Sequence, residues 1–429
     1  MRVTFDYPNY QGIAPVDVPD ERLMGVWGVK VLEDHDEVAE MHRAFSQPIG
    51  KRRLREEAAG KKNILILIDD ATRGTPTAKL LHPVMDELHA AGLKNEQVKI
   101  LTGQGTHRKM TEAELKKKLG DFFGKVAVSQ HDWKDESSLH TFGRAEDGTL
   151  VRANRLLKES DFIMGIGGIV PHRVKGFSGG AKIAFPGVSG PEMMDRNQWE
   201  ASMHMSETVM GVPENPMRLR MEEAAAMAGL QYIVNVVSDG AGKIAGCFCG
   251  DVVAAHRAGC RLSAELTAAR MPGRADVLLI DSYPADRDFW QSAKGLYSGT
   301  MAVKHGGTII LVSPNPEGVA GNHKNVLEIG YKPHAELVAM VQRGEVDDLV
   351  GVAILADVAQ ILDHARCVIV SPGIKPEEAK KLGMHWAADG TSAVKEALER
   401  HGPQARIAVL KHGGHILPLA DDKAKARSH

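Results

Sequence analysis

The sequence predicts an α/β protein of two domains, each built on a mainly parallel sheet. Three observations predict this class. Short apolar, β-branched runs alternate with longer segments of helical periodicity, as in strands joined by crossover helices. Polar, glycine-containing loops follow the strands. The same alternation begins again near residue 275 of a 429-residue chain, a length that suits two or three domains.

In the first domain, strands are predicted at 63–68, 97–101 and 161–165. Between the first two strands, Thr77–Ala91 carries apolar residues at helical spacing. We interpret Thr75 as the N-cap of this helix and Pro76 as its first residue. Ligands of open α/β sheets bind beyond the carboxyl ends of the strands, so we expect the loops that follow these strands to converge.

In the second domain, strands are predicted at 276–281, 307–314, 367–372 and 405–410. The domain boundary lies between Ala268 and Arg274, where Met271-Pro272-Gly273 interrupts a helix. We therefore assign residues 1–270 to an N-terminal α/β domain and residues 271–429 to a C-terminal α/β domain.

Composition and charge exclude several classes of protein. The formal net charge of −2 at pH 7 argues against a general nucleic-acid binder. The sequence shows neither an apolar signal core at its start nor a run of eighteen apolar residues, so we expect no membrane span and a cytoplasmic protein. The four cysteines, which include Cys247, Cys249 and Cys260, do not form a disulfide framework or a zinc motif. We expect buried, reduced thiols.

The most informative segment runs from Gly165 to Lys182, where six glycines surround His172, Lys175 and Lys182. Glycines let the backbone approach a ligand closely. An imidazole and two amines suit an anionic cofactor together with proton or covalent chemistry, whereas a packed core has no use for this mixture. The combination predicts a functional site.

Two further loops of the first domain carry candidate site residues. Asp70 and Arg73 follow the first strand, and a guanidinium suits a carboxylate or a phosphate. His107 follows the second strand in a glycine-containing loop. Together with His172 it provides two imidazoles on two loops, which suit a general acid and a general base.

The second domain carries one candidate pair, Gln291 and Lys294. Residues three apart share one face of a helix, and this face suits a substrate carboxylate. An exposed helix with a half-buried Trp290 explains the same stretch, and the sequence alone leaves both explanations open.

Taken together, these residues resemble the nickel-dependent lactate racemase family. The family motifs D-x-T-R-x-T-P, G-x-H-R, P-H-x-x-x-G-F-S-G-G-x-K and Q-S-x-K-G occur here in family order. They are found at Asp70–Pro76, Gly105–Arg108, Pro171–Lys182 and Gln291–Gly295. The matches lie in both domains, so the resemblance covers nearly the whole chain. The third motif is the most specific.

The resemblance implies a racemase or epimerase of a small-molecule 2-hydroxy acid, with an active-site cleft between the two domains. The N-terminal domain would carry catalysis and the cofactor, and the C-terminal domain would close the cleft over the substrate. Members of the family carry a nickel-pincer nucleotide whose ring is tethered to a lysine, which corresponds here to Lys182. The enzymes that build this cofactor are the expected protein partners.

The resemblance also assigns roles to single residues. The proton-shuttling histidines correspond to His107 and His172, and the substrate-positioning residues correspond to Arg73, Gln291 and Lys294. We predict further cofactor contacts from Asp70, Thr72, Ser178, Gly179 and Gly180. In the implied mechanism one histidine takes the hydroxyl proton while the α-carbon loses a hydride to the pincer ring. Return of the hydride to the opposite face inverts the centre.

The chain departs from the family pattern at two places. The nickel ligand of the family is a histidine that follows an asparagine, and here Asn197 is followed by Gln198. An amide is a poor nickel ligand beside imidazole and thiolate, so we name Gln198 and His204 as the candidate metal ligands. The stretch Gly351–Leu355 lacks a tryptophan that the family often carries. We therefore expect an altered substrate pocket.

Three functions remain open from the sequence. The first is a 2-hydroxy acid racemase, which retention of both histidines and Lys182 favours. The second is a divergent paralogue that binds the nucleotide without nickel-dependent racemisation, which Gln198 favours. The third is a phosphate- or nucleotide-binding protein that is not an enzyme.

Overall fold

A computed structural model describes residues 1–421 of the chain. The strands are β1 (Arg2–Val3), β2 (Val16–Asp17), β3 (Leu23–Trp27), β4 (Ile64–Asp69), β5 (Val98–Gly103), β6 (Ala127–Gln130), β7 (Leu139–Arg144), β8 (Leu150–Asn154), β9 (Phe162–Gly168), β10 (Pro171–His172), β11 (Gly176–Phe177), β12 (Leu230–Ser238), β13 (Ile244–Gly250), β14 (Ala268–Met271), β15 (Ala275–Asp281), β16 (Val303–Val312), β17 (Arg366–Val370), β18 (His385–Trp386), β19 (Ile407–Leu410) and β20 (Leu417–Ala420).

The α-helices are α1 (Glu37–Ser46), α2 (Leu54–Glu57), α3 (Thr77–Ala90), α4 (Glu112–Leu119), α5 (Leu156–Glu159), α6 (Pro191–Ala201), α7 (Ser206–Val209), α8 (Pro216–Met227), α9 (Ala254–Thr267), α10 (Phe289–Ala302), α11 (Asn325–Ile329), α12 (His334–Gln342), α13 (Leu349–His364), α14 (Pro376–Lys381) and α15 (Gly390–His401). Within the described residues, every helix is too short or too polar to cross a membrane.

The chain forms two compact units. The N-terminal unit comprises Val31–Asn197 and Gly211–Leu266, and the C-terminal unit comprises Met1–Lys30, Gln198–Met210 and the chain from Thr267 onward.

These units divide the chain differently from the predicted domains 1–270 and 271–429. The last change of unit, after Leu266, lies close to the predicted boundary, but residues 1–30 join the C-terminal unit. The cause is a long-range strand pairing, because β3 runs parallel to β19 in the same sheet. Backbone pairing over such a sequence distance leaves no local signal in the sequence.

The N-terminal unit is built on a six-stranded sheet in the order β13-β12-β9-β4-β5-β6. All neighbouring pairs are parallel except β12 and β13. Side chains of β4 alternate between two buried layers: Ile64, Ile66 and Ile68 pack with α1 and α3, whereas Leu65 and Leu67 pack with α8. Helices cover both faces, and each such buried side chain contributes about 1.5–3 kcal/mol.

The C-terminal unit has an all-parallel six-stranded sheet in the order β18-β17-β16-β15-β19-β3. In β15, Leu278 and Ile280 pack with α10 and α13, whereas Val277 and Leu279 pack with α15 and the β1–β2 hairpin. The predicted fold class, α/β with mainly parallel sheets, is confirmed in both units.

Two smaller predictions have different outcomes. All four cysteines are free and buried, as expected. The predicted N-cap is wrong, because α3 begins at Thr77 with Pro76 in the N-cap position. The Thr75 hydroxyl instead donates to Asp69 Oδ2 at 2.5 Å.

A buried carboxyl group at the end of β15 gives the C-terminal unit a pH-dependent stability. Burial raises the pKa of Asp281 to about 7, although the Gly413 amide donates to Oδ1 at 2.6 Å. Between the ordinary pKa of aspartate and pH 7, the folded chain therefore binds more protons than the unfolded chain. The free energy of unfolding falls as pH rises through this window.

We expect Asp281→Asn to stabilise the protein above pH 7, by up to about 4 kcal/mol for roughly three pKa units. The advantage should become small near pH 4, because the wild-type carboxyl is then neutral in the folded state and about half protonated in the unfolded state. Denaturant unfolding of both proteins between pH 4 and 8.5 measures the difference, with exposed Asp347→Asn as the matched control. A constant difference across this range would contradict the assignment.

Candidate functional site

The predicted site residues of the N-terminal unit lie at the carboxyl ends of adjacent parallel strands. After β4 the chain continues to β5 on one side, and β9 pairs with β4 on the other. The loops after β4 and β9 therefore leave the sheet at the point where the strand order reverses, which is the usual ligand site of such sheets. A Cβ atom on Gly168 would lie 3.0 Å from Thr75 Oγ1, so the two loops are in contact.

A buried lysine holds the loop after β4. Lys118 Nζ donates to Asp69 Oδ1 at 2.5 Å and lies 3.3 Å from the backbone carbonyl oxygens of Asp70, Arg73 and Thr75. One ammonium thus fixes the backbone of the residues that carry the predicted site. The sequence analysis missed Lys118, because three consecutive lysines in α4 do not reveal which of them points inward.

Asp70 and His107 form a buried acid–imidazole pair. Asp70 Oδ2 lies 2.6 Å from His107 Nδ1, and Oδ1 accepts from the Thr72 amide at 2.7 Å and its hydroxyl at 2.5 Å. Burial works to raise the pKa of Asp70, but the charge and hydrogen bond of His107, with help from Arg73 and Thr72, lower that pKa far below its ordinary value. The ionised carboxylate only accepts, so Nδ1 of His107 is the donor and Nε2 carries the lone pair.

His172 lies on β10, in the short hairpin that β10 forms with β11. Its Nδ1 accepts from the Val174 amide at 3.1 Å, so the neutral ring carries its proton on Nε2. The two predicted histidines therefore have opposite tautomers in their neutral forms. In these neutral forms, Nε2 of His107 carries the lone pair and Nε2 of His172 carries the proton.

The glycines of the third motif serve the packing of the segment itself. Gly179 and Gly180 have φ of +73° and +58°, a region that disfavours side chains. A Cβ on Gly179 would lie 2.8 Å from Asn235 Oδ1, and one on Gly180 would lie 2.9 Å from the ring of His256. The structure thus gives these glycines an internal packing role, beyond the ligand approach inferred from the sequence.

Ser178 also has a role within the segment. Its hydroxyl donates to the Gly168 carbonyl at 2.7 Å and accepts from the Val170 amide at 2.9 Å. These bonds fix the return of the chain after β9. The cofactor contacts predicted for Ser178, Gly179 and Gly180 stay predictions.

Three buried polar side chains hold the segment from outside, and the sequence analysis missed all three. Arg218 of α8 donates to carbonyl oxygens of the segment, Asn235 Oδ1 accepts from the Gly180 amide at 2.7 Å, and His256 Nε2 lies 2.8 Å from the Ser178 carbonyl oxygen. For Arg218 a signal existed: it shares the apolar face of α8 with Met221 and Ala225, three and seven residues on.

Lys182 lies in the 3₁₀ turn Gly180–Ile183 and is partly exposed. Burial, together with the positive charges of Arg73 and Arg218, lowers the pKa of Lys182 to about 7. A large fraction of this amine is therefore neutral at physiological pH, the form that acts as a nucleophile. The surrounding positive charge also suits an anionic ligand.

Four predicted residues belong to the C-terminal unit. Gln198 is half-buried on α6, and His204 is exposed shortly after the end of that helix. Within residues 1–421, no three His, Cys, Asp or Glu side chains converge as a metal site.

Gln291 and Lys294 lie together on α10. Lys294 Nζ donates to Gln291 Oε1 at 2.8 Å, and Asp288 caps the helix by accepting from the Gln291 amide at 2.8 Å. Most of α10 is buried, so the explanation as an exposed helix is wrong. Trp290 packs edge-on against His323, with ring centroids 4.4 Å apart.

Comparison with known proteins identifies the family. The family model described as lactate racemase N-terminal domain matches residues 10–211, and the lactate racemase C-terminal domain matches residues 273–417. The chain is 31% identical over 409 residues to a lactate racemase of Thermoanaerobacterium thermosaccharolyticum, which covers 94% of this chain and 96% of the relative. It is 28% identical over 421 residues to a lactate racemase of Lactiplantibacillus plantarum, covering 96% and 98%.

Solved structures agree with this result. The lactate racemase apoprotein from Thermoanaerobacterium thermosaccharolyticum matches with a TM-score of 0.86 at 29% identity, over 98% of this chain and 100% of that one. A protein from Thermotoga maritima matches with a TM-score of 0.70 at 20% identity, over 90% and 98%, and shares the fold. The chain therefore belongs to the lactate racemase family and, as a racemase, is an isomerase.

Proposed function

We propose that this protein racemises or epimerises a 2-hydroxy acid such as lactate by reversible removal of the α-hydrogen as hydride. The observation that carries the proposal is the partly buried Asp70–His107 pair, 2.6 Å apart, which joins the loops after β4 and β5. Inversion at a carbon that bears a hydroxyl requires a base for the hydroxyl proton and an acid to return it. We assign His107 and His172 to these roles, each acting as a base when neutral and as an acid when protonated.

The roles of the two histidines follow from their hydrogen bonds. Asp70 keeps the Nδ1 proton of His107 in place, so Nε2 accepts the substrate hydroxyl proton, and the carboxylate stabilises the imidazolium that forms. His172 donates in the reverse step from its imidazolium form, because a neutral imidazole N–H is too weak an acid to protonate the substrate. Turnover in the opposite direction exchanges these roles.

Arg73 is proposed to hold the substrate carboxylate. Its side chain is partly exposed at the carboxyl end of β4, and its charge acts on both Asp70 and Lys182. Gln291 and Lys294 add a side-chain amide and an ammonium on α10, and the hydrogen bond between them fixes their orientation. Together they provide the cationic groups that a carboxylate needs.

The nickel-pincer nucleotide is the proposed cofactor, and when bound it supplies the hydride acceptor. Lys182 fits its attachment, since a pKa of about 7 leaves about half of the amine neutral at pH 7 and the positive charges of Arg73 and Arg218 act on it. The protein donor for nickel fits less well than the attachment residue does. Gln198 offers a neutral amide oxygen, a weaker donor for a sulfur-bound nickel ion than imidazole.

The weak metal donor supports a second candidate function. In that alternative the chain binds the nucleotide as a divergent paralogue and does not racemise hydroxy acids. The observation in its favour is Gln198, which stands where the family pattern has the histidine that binds nickel.

One experiment separates the two functions. The protein is co-expressed with the cofactor-building enzymes, and its nickel content and its conversion of single enantiomers of lactate and larger 2-hydroxy acids are measured by chiral chromatography. Racemisation of any of these acids supports the proposal. A loaded protein, with a cofactor adduct by intact mass, that converts none of them supports the paralogue.

We expect Gln198→His to increase nickel retention, because imidazole replaces an amide as the protein donor. Metal analysis after dialysis against a chelator compares the wild type, Gln198→His and His204→Ala. His204→Ala lowers retention only if His204 substitutes for the missing ligand. Stoichiometric, chelator-resistant nickel in both the wild type and His204→Ala would contradict the weak-donor argument.

We expect Arg73→Lys to raise KM for a 2-hydroxy acid about tenfold or more, since one ammonium cannot replace a bidentate guanidinium on a carboxylate. Initial rates over a range of substrate concentrations measure the change, and exposed Arg196→Lys serves as the matched control. Unchanged KM and kcat would remove Arg73 from the site.

A further inference from the structure

Arg218 is an arginine whose side chain is completely buried in the N-terminal unit. Its guanidinium donates to the carbonyl oxygens of Lys175 at 3.3 Å, Gly179 at 3.1 Å and Phe177. A buried charge costs several kcal/mol unless hydrogen bonds compensate for its lost hydration. Here the compensation comes from three carbonyl groups of a single five-residue segment.

The nearby acidic side chain, Glu222, is engaged elsewhere. Arg257 forms a bidentate ion pair with Glu222, with N–O distances of 2.7 and 2.8 Å. The positive charge of Arg218 is therefore met chiefly by backbone dipoles, and it remains an effective positive charge for its surroundings.

The segment that Arg218 organises leads directly into the turn that bears Lys182. Asn235 and His256 fix the next backbone groups, at Gly180 and Ser178. The course of the chain from 175 to 180 is thus set by side chains that approach it from α8, β12 and α9. None of these three side chains belongs to the family motifs on which the sequence analysis depended.

We propose that Arg218 is the positioning residue that prepares Lys182 for covalent attachment, by fixing the segment 175–179 and placing a buried positive charge beside the lysine. The inference rests on the proposed function, in which Lys182 carries the cofactor. It adds a residue outside the motifs and a physical cause for the reactivity of this lysine.

The chemistry of attachment explains why the charge matters. When a lysine is acylated, the lone pair of Nζ forms a bond to the acyl carbon, the leaving group departs with its bonding electrons, and Nζ releases a proton. Only the neutral amine has the lone pair. Burial, Arg73 and Arg218 all favour that form of Lys182.

Pulse acetylation of the apoprotein tests the proposal without the cofactor. Acetic anhydride is applied between pH 5 and 10, and mass mapping gives the rate at Lys182 relative to the exposed Lys94 in the same digest. In the wild type we expect half-maximal reactivity of Lys182 near pH 7. Arg218→Met should raise that midpoint by about one pH unit, which is about a fivefold lower rate at pH 7.

Arg218→Lys separates charge from shape. It keeps the positive charge, so the acetylation midpoint should return toward the wild-type value. A single ammonium cannot span three carbonyl groups, so hydrogen exchange of amides 175–182 should accelerate. Where Arg218→Met does not fold, Arg218→Gln removes the charge while keeping amide donors, and the same midpoint is measured.

An unchanged Lys182 midpoint in the folded, uncharged variant would overturn the proposal, as would a wild-type Lys182 that titrates with Lys94. Both outcomes concern the apoprotein alone. They are therefore distinct from failure of the proposed racemase function, which would appear as a loaded protein with a normal Lys182 midpoint and no turnover.

Discussion

Replacing His107 with alanine is expected to slow racemisation by the cofactor-loaded protein about 10²–10⁴-fold, because the reaction loses the base for the hydroxyl proton. The same substitution at His172 should have an effect of similar size. Each histidine carries out proton transfer in one direction. A racemase converts both enantiomers, so it requires both histidines. Initial rates from each pure enantiomer measure the two losses separately.

The hydrogen bonds of the two rings make this prediction more specific than a simple loss. Asp70 accepts from His107, whereas the Val174 amide donates to His172, so the rings are not equivalent. Exposed His42→Ala in the same unit is the matched control and should leave both rates unchanged. Near-wild-type turnover in either site variant would make that histidine a bystander.

The fold could be predicted because its strands carry strong local signals. The run Ile64–Ile68 is buried on both faces of its sheet, as a central parallel strand must be. The alternation of strand and helix then orders the sheet and places the polar loops at one edge. The pairing of β3 with β19 could not be predicted, because it joins residues more than 380 positions apart through backbone hydrogen bonds.

The candidate site could be predicted only in part, and the reason is again physical. Its motif residues stand out because glycine, histidine and lysine are unusual after apolar strands. The side chains that support them stand out less, since Lys118 is one of three consecutive lysines in α4 and the only local signal for Arg218 is its place among the buried residues of α8. The glycines were interpreted as openings for a ligand, whereas Gly179 and Gly180 are required first by close contacts within the protein.

Lys182→Ala is expected to abolish both the cofactor adduct and racemisation, the largest effect of any substitution in the chain. Without an amine at this position no covalent bond to the cofactor can form. Intact-mass spectrometry of the co-expressed protein reports the adduct, and peptide mapping of the wild type should place it on the peptide that contains Lys182.

Two further substitutions make the result specific. Lys182→Arg keeps a positive charge but offers a guanidinium that stays protonated, so it should lose the adduct as completely as Lys182→Ala. Exposed Lys94→Ala should keep both the adduct and the activity.

An adduct on the buried Lys175 would mean that the wrong lysine of the motif had been assigned. Absence of any adduct, under conditions that load a known lactate racemase, would refute covalent attachment. Since burial and the charges of Arg73 and Arg218 lower the pKa of Lys182 to about 7, a large fraction of the amine is neutral at physiological pH, and we expect the adduct to form there.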